Sequence, residues 1–370
     1  MEERVPLDLL AALIRINSTS GSPGESEVID YVGDWFGPHT ASRVFVSKDH
    51  HGRSNGLLVL PSVDSGERVL IFACHADVVP VGNAADWTSP PFEPRVDEGR
   101  LVGRGSSDMK SGLAAAMISI AWLHESGARV ALAVSTGEEV GSVGAPTIVN
   151  LIRDSQISTG AMVIPESTNN KVVLGHRGAL WLGVETTGVA THGSTPELGR
   201  NAILSMARIL GRIGEVPLTT HPQLGAETVN VGTIDGGTVP NVVPDHARIR
   251  VDHRVVDLDV GRIIDWWRNQ PTVSNVSIDL ALVPVWTAAD DPWVASLPSE
   301  VLTTPAAYFT DASVFTESMP PAPVVVWGPG DPTSVHSANE SVDLASLDEA
   351  IRLYKRAGID WQKRQDRLLP

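Results

Sequence analysis

Two histidines and several carboxylates stand where β-like runs of this chain give way to loops. His75 and Asp77 follow the run Arg68-Val-Leu-Ile-Phe-Ala-Cys74. Glu138 and Glu139 follow a run at 129–134, and Glu166 follows a run at 161–164. His336 lies beyond the run 323–327, past Gly328-Pro-Gly330. Asp108 sits just ahead of a helical run, within Gly103-Arg-Gly105-Ser-Ser-Asp108-Met-Lys-Ser-Gly112. Imidazole nitrogens with carboxylate oxygens, and no thiolate, form a donor set that suits zinc, with cobalt or manganese able to substitute. Five such ligands are too many for one catalytic ion that keeps an open position. If one carboxylate bridges, two ions about 3.5–4 Å apart each have three protein ligands and room for a shared water, the arrangement of two-metal hydrolysis. In an extended 75–77 segment His75 and Asp77 point to the same side. Asp77 can then accept the ring N–H of His75 and fix its tautomer. Glu138 and Glu139 are neighbours and face different ways, so one can bind metal while the other serves as general base.

These groups need a scaffold, and the patterning supplies one. Residues 7–16 and 25–36 read as helices, and 17–24 as a loop rich in Ser, Gly and Pro. Strands fit 43–46, 56–60 and 68–74, the last buried by its unbroken apolar content. A long loop with one hairpin fits 80–107, and a loop of that length is usually functional. Helix 111–124, strand 129–134, helix 143–153 and strand 161–164 continue an α/β pattern with a mostly parallel mixed sheet. From 178 the order changes to strand 179–187, helix 199–213, strands 227–234 and 247–254, helix 258–268 and strand 276–283. That β-α-β-β-α-β order is the split βαβ, ferredoxin-like unit. After it, strand 323–327 and helix 344–356 resume the first pattern. The chain is therefore expected to fold as one α/β domain, 1–177 with 286–370, carrying an inserted domain at 178–285. In open α/β sheets, sites form beyond the carboxyl ends of the strands, which is where the histidines and acids stand.

Composition narrows the function classes. Lys and Arg number 28 against 44 Asp and Glu, a net charge of −16, so nucleic acid is excluded as a general partner. The single cysteine, Cys74, allows no intrachain disulfide or cysteine zinc site and reads as core packing. The start Met1-Glu2-Glu3-Arg4 carries acids where a secretion signal would carry bases. The longest apolar stretch, 113–122, is too short to span a membrane. A cytoplasmic protein is the expectation. The remaining histidines, 39, 50, 51, 124, 176, 221, 246 and 253, have no ligand-like context, and most are expected at the surface.

Several segments together resemble the di-zinc amidohydrolase and exopeptidase superfamily of acetylornithine deacetylase, succinyl-diaminopimelate desuccinylase and glutamate carboxypeptidase. They are His75-Ala-Asp77-Val-Val-Pro80, Trp87-Thr-Ser-Pro-Pro-Phe92, Gly103-Arg-Gly105-Ser-Ser-Asp108-Met-Lys110, Gly137-Glu138-Glu139-Val-Gly141, and Gly328-Pro-Gly330 with His336. They keep the family's order over nearly the whole chain. The resemblance implies that Asp108 bridges two metal ions. His75 and Glu166 would complete one ion, and Glu139 and His336 the other. Glu138 would be the general base, and Asp77 the orienter of His75. A cis peptide between Asp108 and Met109 is implied as well. In the inserted domain, Thr191-His192-Gly-Ser-Thr-Pro196 resembles the lid motif whose histidine meets the oxyanion. Arg254 and Asn241 match substrate-carboxylate contacts, and Asp311 a loop lining the substrate pocket.

Singly, each residue has a plainer use. Asp108 could be a helix N-terminal acid, Arg254 could pair with Asp252 or Asp257, and Asn241 could serve a turn. The implied activity is hydrolysis of the amide of an N-acyl amino acid. The loop Ala306-Ala-Tyr-Phe-Thr-Asp311 lacks a glycine-rich, desuccinylase-like form and points toward an acetylornithine deacetylase-like enzyme. A dipeptidase or carboxypeptidase would use the same site on a short peptide. A non-catalytic binding protein on this scaffold should lack a ligand or the base, and here all are present. The family further implies a possible homodimer through the lid domain.

Overall fold

In a computed structural model, residues 5–37, 40 and 42–367 are described. The chain divides into two compact units. The first comprises Met1–Gly175, Trp286–Ala306 and Thr310–Pro370, and the second His176–Val285 with Ala307–Phe309.

The first unit is built on an eight-stranded sheet. Its order is Arg43–Lys48, Ser54–Val59, Val130–Ser135, Arg68–His75, Ser158–Ile164, Val324–Val326, Val172–Val173 and Val301–Leu302. The four strands from Val130–Ser135 to Val324–Val326 run parallel. Ser54–Val59 joins them antiparallel, as Arg43–Lys48 joins Ser54–Val59. Every residue of Val130–Ser135, and all but the first of Arg68–His75, is buried. Continuous burial of this kind requires cover on both faces. One layer consists of helices Val5–Arg15, Lys110–His124 and Leu344–Asp366, which touch one another. Helices Gly24–Phe36, Ala145–Asp154 and Ala312–Ser318 form the other.

Helix Lys110–His124 is buried almost all round, because it lies between the sheet and the last helix. That last helix runs ten residues past its expected end at 356, to Asp366. Gly358 would weaken an isolated helix by about 1 kcal/mol, but here a Cβ would lie 2.4 Å from Leu123 Cδ1. The glycine marks a close helix crossing rather than a stop. Trp361 and Gln365, three and seven residues on, stay buried along the same stripe.

The second unit is a four-stranded antiparallel sheet in the order Thr228–Gly236, His246–Val255, Gly178–Thr187 and Val273–Leu282. Helices Ala202–Leu210 and Gly261–Arg268 pack on it. Their core joins Leu180, Leu182, Val184, Met206, Ile249, Val251, Ile263 and Trp267. Along the chain this is a β-α-β-β-α-β succession. The first helix is shorter than its pattern, because Arg200 pairs with Val189 and Asn201 caps the helix by accepting the N–H of Leu204 at 3.0 Å. Among the described residues, no helix is long and apolar enough to cross a membrane.

Candidate metal and catalytic site

The parallel strands end side by side on one sheet edge, and the loops that leave them bring the predicted groups together. His75 closes Arg68–His75, and Glu166 lies two residues past Ser158–Ile164. Glu138 and Glu139 follow Val130–Ser135 through a turn at Gly137, where φ is +68°. A Cβ there would lie 2.4 Å from Arg53 Nη1 and from Val143 Cγ2, so only glycine fits. The Asp108–Met109 peptide is cis, and helix Lys110–His124 starts directly after it.

Asp108 stands between two imidazoles. Its Oδ1 is 3.2 Å from His75 Nε2, which also lies 3.2 Å from Glu166 Oε1. Its Oδ2 is 3.2 Å from His336 Nε2, which lies 3.1 Å from Glu139 Oε2. Ligand atoms of His75, Asp108 and Glu139 all fall within 4.8 Å of one another. One carboxylate thus faces a histidine–carboxylate pair on each of its oxygens.

The electrostatics follow from burial. Burial disfavours the charge on His75, yet the Glu166 and Asp108 carboxylates outweigh it and hold the imidazole well above its usual range. Hydrogen bonds to Asp108 and Glu139 push His336 up to about 10. Burial and the neighbouring Asp108 push Glu166 up to about 8. Asp108 is buried too, but its bonds to His336 and His75 hold it well below the usual carboxylate range. Burial pushes Glu138 well up, and its near neighbours include Glu139, Glu166 and Asp311 as well as His75. Protons shared in this way mark a cluster whose negative charge asks for cations, and metal binding to such groups releases those protons.

Asp77 does more than the sequence reading gave it. His75 Nδ1 lies 3.0 Å from the Asp77 backbone carbonyl and 3.6 Å from its carboxylate. A carbonyl only accepts, so Nδ1 carries a proton, and Nε2, which donates to the Asp108 and Glu166 carboxylates, is the nitrogen that would turn its lone pair to a metal once its own proton is released. The carboxylate turns away, because stronger demands meet it elsewhere. It accepts the N–H groups of Glu138 at 3.0 Å and Glu139 at 3.2 Å, and the hydroxyl of Ser20 at 2.8 Å. The expected carboxylate–imidazole bond is therefore replaced by the carbonyl, and the carboxylate fixes the turn that carries both glutamates.

The other candidates are placed as follows. Asp311 is buried, with one oxygen accepting from Ser135 Oγ. In the second unit, His192 is exposed, and its Nδ1 accepts the N–H of Ser194 at 3.2 Å. In a neutral ring that leaves the N–H on Nε2, free to donate. Asn241 is brought beside it, its carbonyl accepting the Gly193 N–H at 2.8 Å while Val242 bridges His192. Arg254 uses its Nε on Asp252, 3.2 Å away, and its guanidinium stacks on Phe309 at 5.4 Å. Cys74 is buried, as expected. His176 and His253 are also fully buried rather than at the surface, and burial lowers each to about 4. His39 and the first four residues lie outside the described residues.

Several buried charges near the site had no signal in the sequence. Lys110 donates to the carbonyls of Leu13 at 2.9 Å and Ile16 at 2.8 Å. Arg53 bonds Asp49 at 2.8 Å and reaches Glu25 at 3.4 Å. Arg104 pairs with Glu340 at 2.7 Å, both side chains at most 2% exposed. Apart from Arg53 with Asp49, four positions away, each such partnership joins distant positions, which no local spacing reveals.

The donor set fits two divalent ions. His75 with Glu166 would hold one, His336 with Glu139 the other, and Asp108 would bridge. Comparison with known proteins agrees with this chemistry. The model of peptidase family M20/M25/M40 matches residues 71–359. A succinyl-diaminopimelate desuccinylase 2 from Ruegeria sp. (strain TM1040) is 30% identical over 275 residues, covering 70% of this chain and 68% of that protein. The solved structure of the M20 family metallo-carboxypeptidase Sso-CP2 from Sulfolobus solfataricus has a TM-score of 0.82 at 18% identity, over 95% of this chain and 98% of that one. The Bacillus subtilis YXEP protein, described as a dinuclear metal binding peptidase from the M20 family, has a TM-score of 0.71 at 13% identity, over 98% of both chains. This chain belongs to peptidase family M20/M25/M40 and is a metal-dependent amidohydrolase.

Proposed function

We propose that the protein hydrolyses the amide bond of an N-acyl amino acid, as an acetylornithine deacetylase-like deacylase. The observation that carries this reading is the Asp108 carboxylate facing one histidine–carboxylate pair on each oxygen, with Glu138 buried near His75, Glu139 and Glu166. The name of the Ruegeria relative, a succinyl-diaminopimelate desuccinylase, supports an N-acyl amino acid as the substrate class. Two divalent ions, zinc foremost, would polarise the scissile carbonyl and lower the pKa of a shared water toward about 7. Glu138 takes the proton of the attacking water. Its raised proton affinity then suits it to keep that proton until the leaving nitrogen collects it. Asp77 holds Glu138 in place through the turn. His192 donates its Nε2–H to the developing oxyanion, and Arg254 with Asn241 receives the substrate carboxylate. Asp311 is proposed to shape the pocket from beneath, at Ser135. The β-α-β-β-α-β unit, 178–285, serves as the lid and as the surface for a homodimer.

The substrate class is tested on purified, zinc-loaded protein with parallel panels of N-acyl amino acids and dipeptides. N-acetyl amino acids are expected to give the highest kcat/KM. A preference for dipeptides would replace the deacylase reading with the dipeptidase one on the same site.

The lid makes a second prediction. A donor that meets the oxyanion only in the transition state acts on kcat rather than on KM. His192→Ala is expected to keep full metal content and a near-normal KM, with kcat reduced about 10²–10³-fold, as for loss of one oxyanion donor. Arg254→Ala should instead raise KM for substrates with a free carboxylate. Normal turnover in His192→Ala would leave this histidine a structural residue. Mixing His192→Ala with Glu138→Gln chains should restore activity only if a second copy supplies the histidine.

A further inference from the structure

Glu340 is one of the most heavily bonded side chains of the first unit, and all of its carboxylate contacts go to one short loop. Oε1 accepts the N–H of Ser107 at 2.8 Å and of Asp108 at 2.9 Å. Oε2 accepts the N–H of Gly105 at 3.0 Å and Arg104 Nη1 at 2.7 Å. Its own backbone carbonyl accepts the N–H of Gly103 at 2.9 Å. The residue is 1% exposed, so water offers these groups no alternative. Nothing in the proposed hydrolysis uses it.

The loop is braced from its far side as well. The Arg104 guanidinium lies 5.2 Å from the Trp87 ring and donates to the Pro80 carbonyl at 3.3 Å. The Arg104 N–H donates to the Pro91 carbonyl at 2.8 Å. Asn339, next to Glu340, accepts the N–H of Thr88 at 2.8 Å and its hydroxyl at 2.9 Å. The Trp87-Thr-Ser-Pro-Pro-Phe92 segment thus finds a use as the outer wall of this cradle. Glu340 stands four residues after His336. One short stretch therefore carries the histidine that faces Asp108 Oδ2 and the acid that holds the Asp108 backbone.

We propose that Glu340 is a positioning residue that sets the backbone of Asp108 and couples it to His336, so that the shared carboxylate presents one oxygen to each half of the metal cluster. This rests on reading Asp108 and His336 as metal ligands. Arg104 is the second member of the device: its guanidinium offsets the buried charge of Glu340 and keeps Oε2 turned toward Gly105.

The test is titration of metal-free protein with cobalt(II), followed by calorimetry and by the visible absorption of the bound ions, beside circular dichroism and steady-state kinetics. Glu340→Gln is nearly isosteric. Its amide oxygen can still accept from Ser107 and Asp108, but its NH₂ faces the Gly105 N–H and Arg104, which cannot accept. The variant is expected to fold, to bind both ions about 10–100-fold more weakly, and to show an altered cobalt spectrum. Its kcat should fall about 10-fold or more while KM stays within about 3-fold, since the substrate contacts are untouched. Should Glu340→Gln fail to fold, Arg104→Lys serves instead. It keeps a cation but loses the planar fork, and is expected to weaken both ions in the same direction by about 3–10-fold. Wild-type affinity and spectrum for both ions in a folded Glu340→Gln, or in Arg104→Lys where that substitute is needed, would overturn the proposal, even if its melting temperature dropped. Asp108→Asn run in the same titration separates the two levels. If it binds both ions normally, the ligand reading itself fails. If it loses them while Glu340→Gln does not, only the positioning role fails.

Discussion

Glu138→Gln is expected to retain both divalent ions and to bind substrate, while turnover drops about 10²–10⁴-fold, the usual range for losing a positioned acid–base group. The substitution removes one ionisable oxygen and changes little else. Glu138 is held by its backbone N–H on Asp77, which the variant keeps. Its carboxylate is buried beside Glu139 and Glu166 yet takes no place in the bonds that join Asp108 to the imidazoles. Glu139→Gln should behave in the opposite way. Its Oε2 lies 3.1 Å from His336 Nε2, so metal affinity should fall first and turnover with it. Elemental analysis and single-turnover kinetics on the two variants decide the assignment. Metal loss in Glu138→Gln with retention in Glu139→Gln would reverse the two roles.

The second large effect is expected at Asp108. Asp108→Ala removes both oxygens that face the imidazoles, so neither half of the cluster keeps three ligands. Metal content should fall from two ions per chain toward none, and activity should fall with it to background. Glu166→Ala removes a ligand from the His75 half alone and should spare the His336 half. The comparison is made by elemental analysis after equilibration at fixed free zinc. Equal loss of ions in the two variants would refute a shared carboxylate. Full activity of metal-free wild-type protein would refute the metal reading altogether.

Much of this site is legible in the sequence because its chemistry is concentrated at strand ends. A run such as Arg68–His75 declares itself by unbroken apolar content, and the residue that ends it is then a candidate by position alone. What could not be read is what the strand ends do to one another. The bonds of the Asp77 carboxylate to the Glu138 and Glu139 N–H groups depend on where the Gly137 turn lies in space, whereas alternation along 75–77 gives only its nearness to His75, 3.6 Å away. Arg254 illustrates the same point in the second unit. Strand alternation puts it on the polar face with Asp252, but its stacking on Phe309 comes from a segment more than fifty residues later. Glu340 carries no signal in its own neighbourhood, because its partners lie at Arg104 to Asp108. The last helix outruns its pattern at 344–356 because Gly358 serves a close crossing with Leu123, a neighbour more than two hundred residues away in sequence.

The proposed ligand positions span residues 75 to 336, and the first unit's sheet includes strands from its last segments. On a ribosome, His75, Asp108 and Glu166 emerge long before Val324–Val326 can pair with Ser158–Ile164. A nascent chain at that stage holds His75, Asp108 and Glu166 but still lacks both His336 and Glu340, the acid that accepts the Asp108 N–H. The His336 half forms only after synthesis is nearly done. Contacts of such long sequence separation form slowly. The chemistry is thereby withheld until the scaffold around it is built, so an incomplete chain meets its neighbours without a competent hydrolytic centre.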